Sequence, residues 1–270
     1  MNRIIKKGAI VTTISYFLVI YIIYQLVDIP LVIGSFVRHR SIALIIGLAI
    51  ATALLSALSI WFTYHIYKSV MARSQRASRG SVSWAGIIWA VAIGFTAICL
   101  SSRFFEMIIR TTRKQQEIQN MINPNTILTV GIMVVIISPI VEELLIRGLL
   151  INLLFKDDLF WVPIIVSSLI FAGLHAVASL AQFGVYFVMG LILGWAYLKT
   201  NTLLTSIGLH MLNNGMAYLS LFVSVGNWPN TIMIPLQAVV IAILAFVAYR
   251  QKDLLQPHVV NKISVSQFRA

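Results

Sequence analysis

Eight runs of predominantly apolar residues, near 9–27, 42–64, 82–102, 127–150, 159–180, 181–199, 203–223 and 230–249, constrain any fold this chain can adopt. Each approaches the roughly 20 residues that a helix needs to cross a bilayer, where every backbone polar group must be satisfied within its own segment. Of the 270 residues, 59% are hydrophobic and only 10% are charged, whereas soluble domains carry about 25% charged residues. The expected fold class is therefore all-α: a polytopic membrane helix bundle of about eight transmembrane helices. Three parts follow along the chain. Residues 1–125 hold about three membrane helices joined by basic loops, 126–225 form a core carrying the polar motifs described below, and 226–270 supply the last span and a cytoplasmic tail.

The first run follows MNRIIKK without a small-residue cleavage site, so it reads as a retained anchor. With eight spans and the N-terminus inside, Arg38, Arg40, Arg103, Arg110, Arg113 and Lys114 fall outside, and the remaining 14 of the 20 lysines and arginines fall inside. That bias favours cytoplasmic N- and C-termini. The net charge of +12 is then a topology signal that also attracts anionic headgroups. Nucleic acid is not an expected partner, because no folded domain presents the basic residues. The single cysteine, Cys99, excludes an internal disulfide.

Against this background the carboxylates stand out. Six of the eight acidic residues lie in loops or at segment ends, but Glu142 and Glu143 sit within the fourth run. A charge near the bilayer centre costs at least about 2.5–3.5 kcal/mol and usually faces the bundle interior. Glu143 has an i,i+4 partner in Arg147, with the acid N-terminal as helix geometry prefers. Glu142 lies about 100° around the helix and has no such partner. Pro139 removes a backbone donor one turn earlier and is expected to kink the helix, opening room there.

Two later runs each add a polar pair at i,i+4: Phe171 with His175 in FAGLH, and His210 with Asn214 in HMLNN. Such spacing projects both members from one helix face. A lone intramembrane histidine is often no more than an interhelical hydrogen bond, worth about 0.6 kcal/mol. Three helices carrying such groups point instead to a shared site. Asn213 is the neighbouring alternative to Asn214, one residue off the i,i+4 spacing.

EELLIR, FAGLH and HMLNN, in that order, resemble the E-E-x-x-x-R, F-x-x-x-H and H-x-x-x-N/D motifs of a membrane-embedded protease family. That family comprises the type II CAAX prenyl endopeptidases and the bacteriocin-processing and immunity proteins, also called the CPBP or Abi family. The resemblance implies an intramembrane endopeptidase with its protease core at 126–225. Its substrate would be a peptide or membrane-associated protein in the bilayer of a bacterial cell membrane. It also implies roles: Glu142 with His175 activates a water, His210 and Asn214 stabilise the oxyanion, and Glu143, Arg147 and Phe171 support them. Glu142, His175 and His210 would equally make a three-ligand zinc site, but H-E-x-x-H is absent. A metal-free mechanism without a cofactor is the expectation, with zinc as its alternative.

Two other functions stay open: a non-proteolytic immunity or regulatory protein of the same fold, and a proton-coupled transporter. The second is disfavoured by the lack of paired broken helices or inverted repeats. Gly190 and Gly194 read as helix packing, and Trp84, Trp161 and Trp228 as interfacial anchors.

Overall fold

The computed structural model describes residues 4–36, 42–109, 113–124, 126–175, 177–223, 229–251 and 253–257. Arg38, Arg40, Arg110, Trp228, Lys252 and the tail from 258 onward lie outside the described residues, as do the side chains of Arg113 and Lys114.

Among the described residues nine helices follow one another. They are α1 (Ala9–Phe36), α2 (Ile42–Ala72), α3 (Trp84–Glu106), α4 (Arg113–Met121), α5 (Ile127–Leu154), α6 (Trp161–Gly173), α7 (Leu180–Thr200), α8 (Leu203–Leu219) and α9 (Asn230–Arg250). No strand forms among them, so the chain is an all-α bundle. Every apolar run becomes a helix, yet six, not eight, are long and apolar enough to cross a membrane. The two that fall short are α6, with 13 residues, and α8, with 17. At 1.5 Å per residue these reach about 20 and 26 Å, less than the roughly 30 Å of a hydrocarbon core. The fifth run stops at Gly173 because the polar break HAVASLAQFG begins earlier than a full span would require.

The chain segments at the N-terminal end of the bundle gather together. Lys6 Nζ donates to Asp157 Oδ1 at 2.9 Å and to the Asn152 carbonyl at 2.8 Å. Arg76, from the 3₁₀ turn Gln75–Arg79, reaches the carbonyls of Lys156 and Leu159. Asn201 donates to the carbonyls of Arg76 and Gly80. The N-terminus and the turns before α3, α6 and α8 therefore share one end of the bundle, as an up-and-down chain requires. Asp157 is held below the usual carboxylate range. Burial alone would raise it, but the Lys6 hydrogen bond and charge and the Gln75 backbone N–H outweigh that.

At the centre, Ile98, Ile146, Phe171, Leu193 and Leu209 join α3, α5, α6, α7 and α8 into one buried cluster. Gly190 makes the α6–α7 contact possible: a Cβ there would lie 2.9 Å from Ser168 Cβ and 3.0 Å from its Cα. The small-residue spacing of Gly190 and Gly194 thus serves close packing of α7 on α6. Trp84 and Trp161 remain 72% and 65% exposed near helix starts, where interfacial side chains belong.

α5 is not a uniform α-helix. Met133–Ile137 and Leu144–Ile151 form wide π turns on either side of the α-helical Ser138–Glu143. The Ser138 N–H bonds to the Met133 carbonyl, five residues back. In that register Pro139 would pair with Val134, but proline has no N–H to give. Pro139 therefore leaves the Val134 carbonyl unserved by its own helix. Such π insertions occur often at functional sites.

Candidate active site

Glu142 and Glu143 occupy the short α-helical piece between the two π segments, and their environments differ. Glu143 and Arg147 are fully buried and joined at 2.8 Å, Arg147 Nη1 to Glu143 Oε1. Arg147 Nη2 also donates to the Gly190 carbonyl at 3.0 Å, and its guanidinium lies 4.8 Å above the Phe171 ring. A buried pair repays its desolvation only when its remaining groups are satisfied and well packed. Here a neighbouring helix supplies a carbonyl and another supplies a ring face, while Glu143 Oε2 and Arg147 Nε stay without a hydrogen bond among the described residues, so the pair is only partly compensated.

Glu142 points elsewhere. Its Oε2 lies 3.9 Å from His175 Nε2 and 3.9 Å from His210 Nε2, and it has no hydrogen-bond partner among the described residues. Both histidines are fixed from behind. His175 Nδ1 is 2.7 Å from the Phe171 carbonyl, which can only accept, so Nδ1 carries the proton. His210 Nδ1 is 3.0 Å from Glu143 Oε1, and the same reasoning assigns a proton there. Each ring therefore turns Nε2 towards Glu142. The structure thus brings Glu142, Glu143, Arg147, Phe171, His175 and His210 into one constellation, built from α5, α6 and its end, and α8.

Phe171 has more to do than its place four residues before His175 suggests. Its carbonyl sets the His175 tautomer, its face covers Arg147, and its edge meets His210 with ring centroids 5.8 Å apart. Asn214 lines a cavity together with Glu142, His175 and His210, and its Nδ2 donates to the Val134 carbonyl at 3.0 Å. It thereby serves the acceptor that Pro139 leaves without an intrahelical donor. Its Oδ1 accepts from Asn213 at 3.2 Å, so the two asparagines act in series rather than as rivals.

Three contributors were not visible as site residues in the sequence. Tyr186 of α7 stacks on His175, with centroids 4.1 Å apart. Ser138 stands one turn before Glu142 on the same face of α5, a spacing that could have flagged it. Tyr24 of α1 hydrogen-bonds to Ser138. No local spacing points to Tyr24, because its partner is more than a hundred residues away.

Two histidines and a glutamate are a zinc donor set. Among the described residues, however, no three His, Cys, Asp or Glu side chains are placed to hold a metal ion. In tetrahedral coordination with bonds of about 2.1 Å, donor atoms lie about 3.4 Å apart. The two 3.9 Å separations at Glu142 Oε2 are wider.

Residues 124–216 match the family model described as type II CAAX prenyl endopeptidase Rce1-like. The chain thus carries an Rce1-like segment, the family its three motifs resemble, in a polytopic membrane bundle. The match spans about a third of the 270 residues and takes in the constellation from α5 to α8, but not α1 or α9. Neither the curated proteins nor the solved structures gave a match.

Proposed function

We propose that this chain is an intramembrane endopeptidase in which Glu142 is the general base. The observation that carries the reading is the convergence of His175 Nε2 and His210 Nε2 on Glu142 Oε2, at 3.9 Å each. That separation is too long for a direct hydrogen bond and leaves room for a reacting oxygen between the groups. A water held by Glu142 and His175 loses a proton to the carboxylate as its oxygen attacks the peptide carbon. The same proton then passes to the leaving amine, so acid and base are one residue. Charge develops on the former carbonyl oxygen, and in this reading His210 Nε2 donates to it. This role needs a proton on both ring nitrogens, with Glu143 as the counter-ion at Nδ1. Asn214, through the hydrogen on Nδ2 not engaged by Val134, is the second donor.

The mechanism uses no metal. CAAX-type substrates belong to this reading as well, supported by the motifs and by the Rce1-like match; bacteriocin-type substrates and a bacterial membrane rest on the motif resemblance alone.

The experiment is incubation of the purified full-length protein in lipid nanodiscs with a peptide library, with products read by mass spectrometry. Native protein should cleave internal bonds, and Glu142→Ala should leave the library intact. Absence of products from native protein would refute the reading and favour an immunity or regulatory protein of the same fold, and the same products from Glu142→Ala would remove Glu142 as the base. Chelator should leave cleavage unchanged. Loss of activity that zinc restores would assign Glu142, His175 and His210 as ligands of a zinc ion, which would supply the activation of water in place of the carboxylate.

A further inference from the structure

Two cavities meet at Glu142. One, of about 220 Å³, lies between α3, α7 and α8 and is walled by Ser102, Phe105, Tyr186 and Asn214 among others. The other, of about 290 Å³, lies against α1 and is walled by Tyr21, Tyr24, Val141, Leu145 and Leu174 among others. Ile118, Val134, Ser138, Glu142 and His175 line both. The base thus stands at a junction, with open volume on either side. We propose that the cavity beside α1 is a second substrate subsite. It receives an apolar side chain of an extended polypeptide from one side of the scissile bond, while the α3/α8 cavity holds the other side.

This rests on the endopeptidase reading and deepens it. Cleavage within a chain needs space on both sides of the attacked carbonyl, whereas removal of a terminal residue needs one side closed. The two volumes lie at or below the lower end of the roughly 300–1,000 Å³ of pockets that engulf a whole small molecule, so each accommodates a side chain or two of a peptide. Apolar residues of α5 and α6 form one wall of the α1 cavity, which Gln25, Asp28 and Glu117 also line, so an apolar side chain fits the α5 face of it. The Tyr24–Ser138 hydrogen bond fastens α1 one turn from Glu142, so this wall has a fixed distance from the base. α1 lies outside the Rce1-like match, and the subsite gives it a part in selecting substrate.

The test uses full-length protein in nanodiscs and the same peptide library. Tyr21→Ala enlarges the α1 cavity and Val32→Trp fills it, whereas Ser102→Trp fills the other. The α1 changes should shift the preferred side-chain size at one position on one side of the cleaved bond, by about tenfold in relative rate. Ser102→Trp should shift a position on the opposite side. Independently, a benzophenone amino acid at position 25, in a Glu142→Gln background, should cross-link library peptides. If native protein cleaves but the α1 variants keep the native profile, or all three shift the same side, the subsite is wrong while the endopeptidase reading stands. Adducts with lipid alone also overturn it. If native protein cleaves nothing, both fall.

Discussion

α9 and the middle of α5 read alike by hydropathy, and both belong to helices long enough to span a membrane. In the structure they are opposites. No residue of α9 is buried within the protein, whereas all eight from Leu144 to Ile151 are. An apolar side chain is content against lipid or against protein, so hydrophobicity does not separate the two. Polar groups do. Glu143 and Arg147 are tolerated because α7 and α6 supply a carbonyl and a ring beside them. α9 has no acidic residue and carries its one basic residue, Arg250, at its end.

The contrast can be pressed first through chemistry. Glu142→Gln keeps the shape of the buried face but removes the proton acceptor, so cleavage should fall by about 10²–10⁴-fold with the melting temperature unchanged. Activity assays paired with thermal unfolding in detergent check both halves. Arg147→Met tests the other carboxylate: it leaves Glu143 buried without its cation and should destabilise by about 3–5 kcal/mol. An unchanged melting temperature would remove the ion pair from the account of why α5 can be buried. Next, Gly190→Ala inserts a methyl where Ser168 already sits. Overpacking of this kind costs about 1–3 kcal/mol, and since the Gly190 carbonyl holds Arg147, activity should drop with stability.

Outside the membrane, Asp157→Asn should cost about 1–2 kcal/mol by unfastening Lys6 and Arg76. Because its folded-state pKa is depressed, the contribution of Asp157 is complete above its unfolded value of about 3.9 and is lost as pH falls through the folded one. Stability of the native protein should therefore fall below about pH 4 more steeply than that of Asp157→Asn. The smallest effect belongs to α9. Ile243 is 57% exposed, and Ile243→Ala should change stability by less than about 0.5 kcal/mol. A larger loss would show that this face of α9, and not only the side it lays against α3, is packed on protein.

The helical character of every apolar run was legible from its length and composition, and the residues that gather into the candidate site from Glu142 and three i,i+4 polar pairs inside apolar runs, because both are local signals. Span length was less so. α6 and α8 were read as full spans because windows of apolar residues continue past the points where the helices end, at Gly173 and Leu219. The partner of Asn214 was hidden for a different reason: it is a backbone carbonyl, and it needs a donor only because α5 adopts π turns around Pro139. The contribution of α1 was the least accessible. Tyr24 carries no spacing signal, and only the folded chain sets it against Ser138.

The wide turns of α5 also set how that helix responds to a change in its own length. A wide turn holds one residue more than a regular one, so removing one residue between Leu144 and Ile151 can close it while the helix on either side keeps its phase. Glu142 and Glu143 would then still face their histidines. Where no wide turn closes, the lost residue swings one half of α5 by about 100° against the other, and neither carboxylate meets its histidine. Substitutions sample what the side chains do; a one-residue deletion here asks instead whether the phase of the helix is what aligns the reaction.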